Sequence, residues 1–210
     1  MTFPYAPAGL TGDPFFTADE LAYRLQIDTG SINTNTANLL AQLASDAVRE
    51  DIRQQVDFVA DETITLWGDN GEILLLPQRP VTAVTAVSLA GQTLVPAQVN
   101  STSTMLMYDW RPDGSLRRVV YGGSFYAAEL FYKWPLGVAV TVTYSHGYET
   151  VPSALKRVAL DLAAAAYSNP EMHDSERVGW VEWATKQMSM DLMACQRSSL
   201  DLYRNITLAF

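Results

Sequence analysis

Residues 138–167 constrain the fold most, because a strand period passes there directly into a helix period. Val138, Val140 and Val142 alternate with Ala139, Thr141 and Thr143 and lead to Tyr144, the pattern of a half-buried strand. Ser145, His146 and Gly147 are expected to break that strand. Pro152 follows, and its fixed φ suits the first position of a helix. Leu155, Val158, Ala159, Leu162 and Ala166 then fall at i, i+3, i+4, i+7 and i+11, a single apolar stripe. Leu160 and Tyr167 lie on a second flank, so this helix should have close neighbours on more than one side. A sheet therefore hands over to a central buried helix.

Upstream, residues 1–16 contain Pro4, Pro7, Pro14, Gly9 and Gly12 and read as an extended arm. Its aromatics Phe3, Tyr5, Phe15 and Phe16 must dock on the chain's own core or on a neighbour. Thr17 and Glu20 have the spacing of a capping box, with Phe16 and Leu21 as its hydrophobic staple, which predicts a short helix over 18–26. A polar loop over 28–35 separates it from a second helix over 36–58. The apolar stripe expected there is Leu40, Leu43, Ala44, Ala47, Val48, Ile52 and Val56. Asp46, Arg49, Glu50, Asp51 and Arg53 are expected on its solvated face.

The composition then turns β-prone. Residues 63–66 and 73–76 flank Gly68-Asp69-Asn70-Gly71 and predict a hairpin. Val81, Val84, Val87 and Leu89 continue to Gly91, and a second hairpin is expected about Pro112-Asp113-Gly114. Phe125, Tyr126, Phe131, Tyr132 and Trp134 read as the core of a small sheet rather than an interface. A last helix is predicted from about Arg177, with Trp180, Ala184, Met188 and Leu192 on one face. The apolar residues Leu202, Tyr203, Ile206, Leu208 and Phe210 near the end need to be tied down, in cis or to a partner. The expected class is α+β: a helical core of two N-terminal helices, a central Ala-rich helix and a C-terminal helix, with an inserted antiparallel β module. The expected segments are an arm (1–16), the core (17–60 and 145–195), the β module (61–144) and a tail (196–210).

Chemistry is sparse. Of two histidines, His146 sits at the strand-to-helix turn, where it should bond turn backbone groups, and His173 in a polar break. Glu171, His173, Asp174 and Glu176 lack ligand spacing on a regular element, and Cys195 among Met188, Met190 and Met193 reads as a packed thiol. No phosphate loop, dinucleotide fingerprint or nucleophile elbow occurs. No catalytic residue, metal or cofactor is therefore expected. The net charge of −9 over 210 residues speaks against a general nucleic-acid-binding surface. No apolar run approaches a membrane span, no secretory signal is visible, and a single cysteine excludes an intrachain disulfide.

The chain resembles the head-to-tail adaptor (head completion or connector) proteins of long-tailed bacteriophages. The likeness covers about residues 17–170. It rests on the short helix before a longer amphipathic one, on Leu75-Leu76-Pro77-Gln78-Arg79-Pro80-Val81, and on Trp134-Pro135-Leu136-Gly137 leading into the strand to Tyr144. Most specific is Tyr144-Ser145-His146-Gly147-Tyr148, then Val151-Pro152 opening the Ala-rich helix and ending at Tyr167-Ser168-Asn169-Pro170. The resemblance implies a structural virion protein: a homo-oligomeric ring, of twelve copies, below the portal protein. Such a ring extends the channel through which packaged DNA passes without sequence-specific binding, and offers a platform for the stopper or tail. It implies localisation to the virion neck, and to host cytoplasm during assembly. The family's C-terminal docking makes Trp180, Trp183, Leu208 and Phe210 portal-contact candidates. An acidic inner wall is expected to let DNA slide. Alternatives are a stopper or tail terminator, which would lack a dominant Ala-rich helix, and a carbohydrate-binding adhesion module resting on the aromatics of residues 121–134.

Overall fold

A computed structural model of the chain describes residues 12–97, 107–120, 130–168, 175–178, 181–184 and 199–204. They fall into two units. Described residues up to Asp57 and from Thr150 onward form a helical unit, and Phe58–Glu149 a sheet unit.

In the helical unit, the Thr17 hydroxyl accepts from the Glu20 amide at 3.4 Å, and the Glu20 carboxylate accepts from the Thr17 amide at 3.0 Å. This reciprocal cap starts helix α1 (Ala18–Leu25), which Gln26 ends in the left-handed region. A 3-10 turn (Thr29–Ser31) precedes α2 (Thr34–Ile52), capped by Asn33 and closed by left-handed Arg53. The helix therefore stops six residues short of the predicted end. Its buried face is Ala37, Ala41, Ala44, Ser45, Val48, Arg49 and Ile52. The predicted stripe is thus rotated: Leu43 is exposed, while Leu40 and Ala47 are half-buried. Small residues win the inward face because they allow close approach to another helix with a small-residue face. That helix is α3 (Ser153–Ser168), which buries Leu155, Val158, Ala159, Leu162, Ala163 and Ala166. Pro152 lies just outside it, its carbonyl accepting from the Lys156 amide at 3.1 Å.

Ion pairs join α1 to α3, Arg24 to Asp161 at 2.8 Å and Lys156 to Glu20 at 2.6 Å. The lysine's hydrogen bond holds the Glu20 carboxyl below its ordinary pKa. Pairs this exposed contribute about 0–1 kcal/mol each.

Arg49, expected on a solvated face, is fully buried. Its guanidinium reaches Asp46 at 2.9 Å and Asp57 at 2.8 Å, donates to the Asp13 carbonyl, and lies 4.4 Å over the Phe15 ring. Burial of this charge is tolerated because carboxylates and a carbonyl surround it.

The C-terminal helix predicted from Arg177 does not form over the described residues. β9 (Ser175–Val178) and β10 (Val181–Ala184) pair antiparallel, with Val181 opposite Val178 and Trp183 opposite Glu176. Gly179 interrupts the helical run, and Val178, Val181 and Trp183 prefer a pleated backbone. Met188, Leu192 and Cys195 lie outside the described residues.

The sheet unit contains β1 (Val59–Trp67), β2 (Ile73–Leu75), β3 (Val81–Leu89), β4 (Gln92–Pro96), β5 (Met107–Trp110), β6 (Ser115–Val120), β7 (Leu130–Tyr132) and β8 (Ala139–His146). They form one curled sheet in the order β1-β8-β3-β4-β5-β6-β2, with β7 also on β6. β8 is central. Val140, Val142, Tyr144 and His146, on alternate positions, are all buried, so the period read for this strand continues two residues past Tyr144. Gly147, at φ 90°, ends it. On the opposite face Thr63 and Thr143 hydroxyls meet at 2.9 Å. The sheet is not wholly antiparallel: β4 and β5 run parallel, with Val95 opposite Met107. The hairpin β5–β6 forms as expected, Trp110 opposite Leu116.

The first predicted hairpin does not. β1 pairs β8 and β2 pairs β6. The turn's backbone groups are instead spent on the loop before β8. Gly68 N–H donates to Val138 at 2.9 Å, Asn70 N–H to Trp134 at 2.9 Å, and Gly137 N–H returns to Gly68 at 2.9 Å. A Cβ at Gly68 would lie 2.0 Å from the Pro135 carbonyl oxygen, a backbone atom that cannot swing aside. Gly68→Ala is therefore expected to destabilise the chain by about 1–3 kcal/mol, read as a lowered urea midpoint.

Candidate interface and buried polar groups

The bulge of β1 beside β8 gathers the polar residues nearest to chemistry. The register of β1 shifts between Val59 and Glu62, where Asp61 takes φ 49°. That bulge lets the Asp61 amide donate to Ser145 Oγ at 3.1 Å while Thr85 Oγ1 donates to its carboxylate at 2.7 Å. On the buried face His146 Nε2 meets Glu62 Oε2 at 2.8 Å, and the imidazole lies 5.0 Å from the Tyr144 ring. His146 thus bonds a side chain, where turn backbone was expected. Nδ1 is buried and has no hydrogen-bond partner. The pair fastens β8 to β1 on the core side of the sheet.

Burial lowers the His146 pKa, and Glu62 opposes that shift without reversing it. The unfolded chain then takes up a proton more readily than the folded one. The stability due to neutral His146 is present above the ordinary imidazole value of about 6.5 and is lost as pH falls through the lowered folded value. Urea midpoints of the parent should fall over that interval, and those of His146→Gln should fall less steeply.

Of the portal-contact candidates, Trp180, Leu208 and Phe210 lie outside the described residues. Trp183 is placed by its backbone alone, in β10 opposite Glu176. His173, Glu171 and Asp174 also lie outside. Among the described residues no group of three His, Cys, Asp or Glu could hold a metal, and no helix is long and apolar enough to cross a membrane. Trp134, at the end of the aromatic run, is fully buried and donates from Nε1 to the Leu116 carbonyl at 3.2 Å. It has no face to offer a sugar.

What the described residues do display is apolar surface. In the sheet unit Trp67 and Leu136 stand exposed on the tightly bonded tip around Gly68, and Ile73 and Leu75 on β2. In the helical unit Tyr23, Leu39, Leu43 and Leu202 are exposed. Leu202 belongs to the apolar end expected to need a partner, whereas Leu43 was expected inside. The signal available was the breadth of the apolar arc on α2, wider than one neighbouring helix can cover.

No family model matches the chain, and no curated protein matches it. Among solved structures, the chain is similar to a protein in the neck of an empty GTA particle computed with C6 symmetry, at 17% identity and TM-score 0.49, over 98% of this chain and 96% of that one. It is similar to one in the virion of a native gene transfer agent (GTA) particle, at 18% identity and TM-score 0.49, over 95% of each. A third, in the neck of a native GTA particle computed with C12 symmetry, gives 17% identity and TM-score 0.43, over 98% and 96%.

Proposed function

We propose that this chain is a structural component of a virion neck, a head-to-tail adaptor forming a ring below the portal. The observation that supports this reading is where the most specific motif lies. Tyr144 and His146 are the buried end of β8, Gly147 turns the chain, and Pro152 caps α3. The residues bearing the resemblance to phage adaptors are thus those joining sheet to helices. The large exposed apolar side chains suit a protein that works by assembling.

In this reading about twelve copies, on the family's symmetry, extend the DNA channel and join the capsid vertex to a stopper or tail. Residues 202–210 with Trp180 and Trp183 touch the portal protein, and Asp and Glu line the channel wall. Assembly takes place in host cytoplasm. The curled sheet favours a second reading, a stopper or tail terminator, against which the Ala-faced α2–α3 pair speaks.

Native mass and negative-stain imaging of the chain alone and mixed with its portal protein decide between them. A ring capping the portal is expected, and it should be lost on deletion of residues 202–210. A chain that ignores the portal but caps tails would replace the adaptor reading with the tail-side one.

A further inference from the structure

Two arginines are buried among the described residues, and acids match only one of them. Arg49 sits between two carboxylates. Arg118 on β6 is 8% exposed, and among the described residues no carboxylate pairs with it.

The strand pattern puts Arg118 inside. Leu116 and Arg118, two residues apart, share a face of β6, and Leu116 is fully buried. Tyr108 of β5 stands opposite Arg118 on one side and Tyr132 of β7 on the other. The guanidinium lies 5.9 Å from the Tyr132 ring centre and 5.8 Å from that of Trp134, at the outer limit of cation–π attraction. Nη1 donates to the Lys133 carbonyl at 2.7 Å. Nε is buried without a partner, and no described residue accepts from Nη2. Burial pushes the guanidinium below its ordinary pKa, yet an arginine keeps its charge in a folded protein.

One carbonyl and two distant rings do not replace the water that a cation gives up on burial. The charge is therefore held ready for an anion. The open Nε–Nη2 edge is the fork that takes both oxygens of a carboxylate side-on. Tyr132 and Lys133 are exposed, so the guanidinium is reached from their side. We infer that Arg118 is a binding site for a carboxylate, with the Nε–Nη2 edge as its recognition element and the rings of Tyr132 and Trp134 beside it. A flat monoanion suits this edge better than a phosphate, which carries more charge and costs more to strip of water. An acidic side chain of a second copy and a small free carboxylate share this chemistry. The inference goes beyond the ring reading and does not rest on it.

The test follows the Arg118 Nε–H signal of the full chain by nuclear magnetic resonance, identified by its absence from Arg118→Lys. Acetate replacing chloride at constant ionic strength should move the signal to saturation, and phosphate should move it less. The urea midpoint should rise with the logarithm of acetate concentration in the parent. It should not rise in Arg118→Lys, whose ammonium keeps the charge without the fork. A signal that also moves with protein concentration in the absence of acetate assigns the carboxylate to a second copy. Movement with acetate alone assigns it to a free carboxylate. Equal midpoint responses of parent and Arg118→Lys, or a larger response to phosphate, would overturn the inference. So would a parent that ignores acetate until Glu129→Gln is introduced, because the chain would then supply the carboxylate itself.

Discussion

Replacing Arg49 by alanine is expected to cost about 3–5 kcal/mol, the range for removing one partner from a buried ionic cluster. The guanidinium has no exposed surface, and its loss opens a cavity and removes the cation shared by Asp46, Asp57 and the Asp13 carbonyl, leaving Gln42 and Gln55 as the carboxylates' donors. It also removes the cation stacked on Phe15. Arg49→Lys should recover less than half of the loss, because an ammonium cannot present the fork that reaches both carboxylates at once. Urea unfolding followed by circular dichroism reads both. A loss below about 1 kcal/mol for Arg49→Ala, the level of a surface pair, would mean the cluster is solvated.

Trp134→Ala should be comparably severe, about 3–5 kcal/mol, since it empties the largest fully buried side chain among the described residues. Trp134→Phe separates volume from hydrogen bonding. It keeps most of the packing but leaves the Leu116 carbonyl without the indole donor, for an expected loss of about 1–3 kcal/mol. Equal losses for the two variants would show that the hydrogen bond, and not the volume, dominates.

Where local periodicity meets a single burial partner, the fold is legible. The alternation from Val138 to Tyr144, the stripe from Leu155 to Ala166 and the Thr17–Glu20 box all appear in place. Sequence fails where a distant partner decides. The glycines at 68 and 71 carry a hairpin signal, yet Trp134, Gly137 and Val138 of the loop before β8 take up their backbone groups. The helical period of α2 is readable, but its inward side is chosen by the alanines that admit α3 and not by the larger leucines. Arg49 looks solvated until residues Asp13 and Phe15, thirty-odd positions away, close over it. Residues 175–184 carry both a helical period and valines with a central glycine, and β pairing prevails. The portal-contact candidates were drawn from the apolar chain end together with a resemblance, and the described residues place the backbone of Trp183 alone. Leu43 of α2 was expected in the core yet is exposed, because periodicity does not say how many neighbours a helix has.

The pairing of Val59 with His146 bears on how such a chain can change over time. The sheet begins and ends at hydrogen-bonded neighbours, so it presents one short gap to the rest of the polypeptide. Loop-closure cost rises only logarithmically with length, and here the gap is pinned by strand pairing whatever lies beyond it. Insertions or deletions at the far turns, such as Ala90-Gly91 or Pro112-Asp113-Gly114, therefore leave that gap unchanged. The sheet behaves as a cassette, free to be re-edged for new contacts while its attachment points stay fixed.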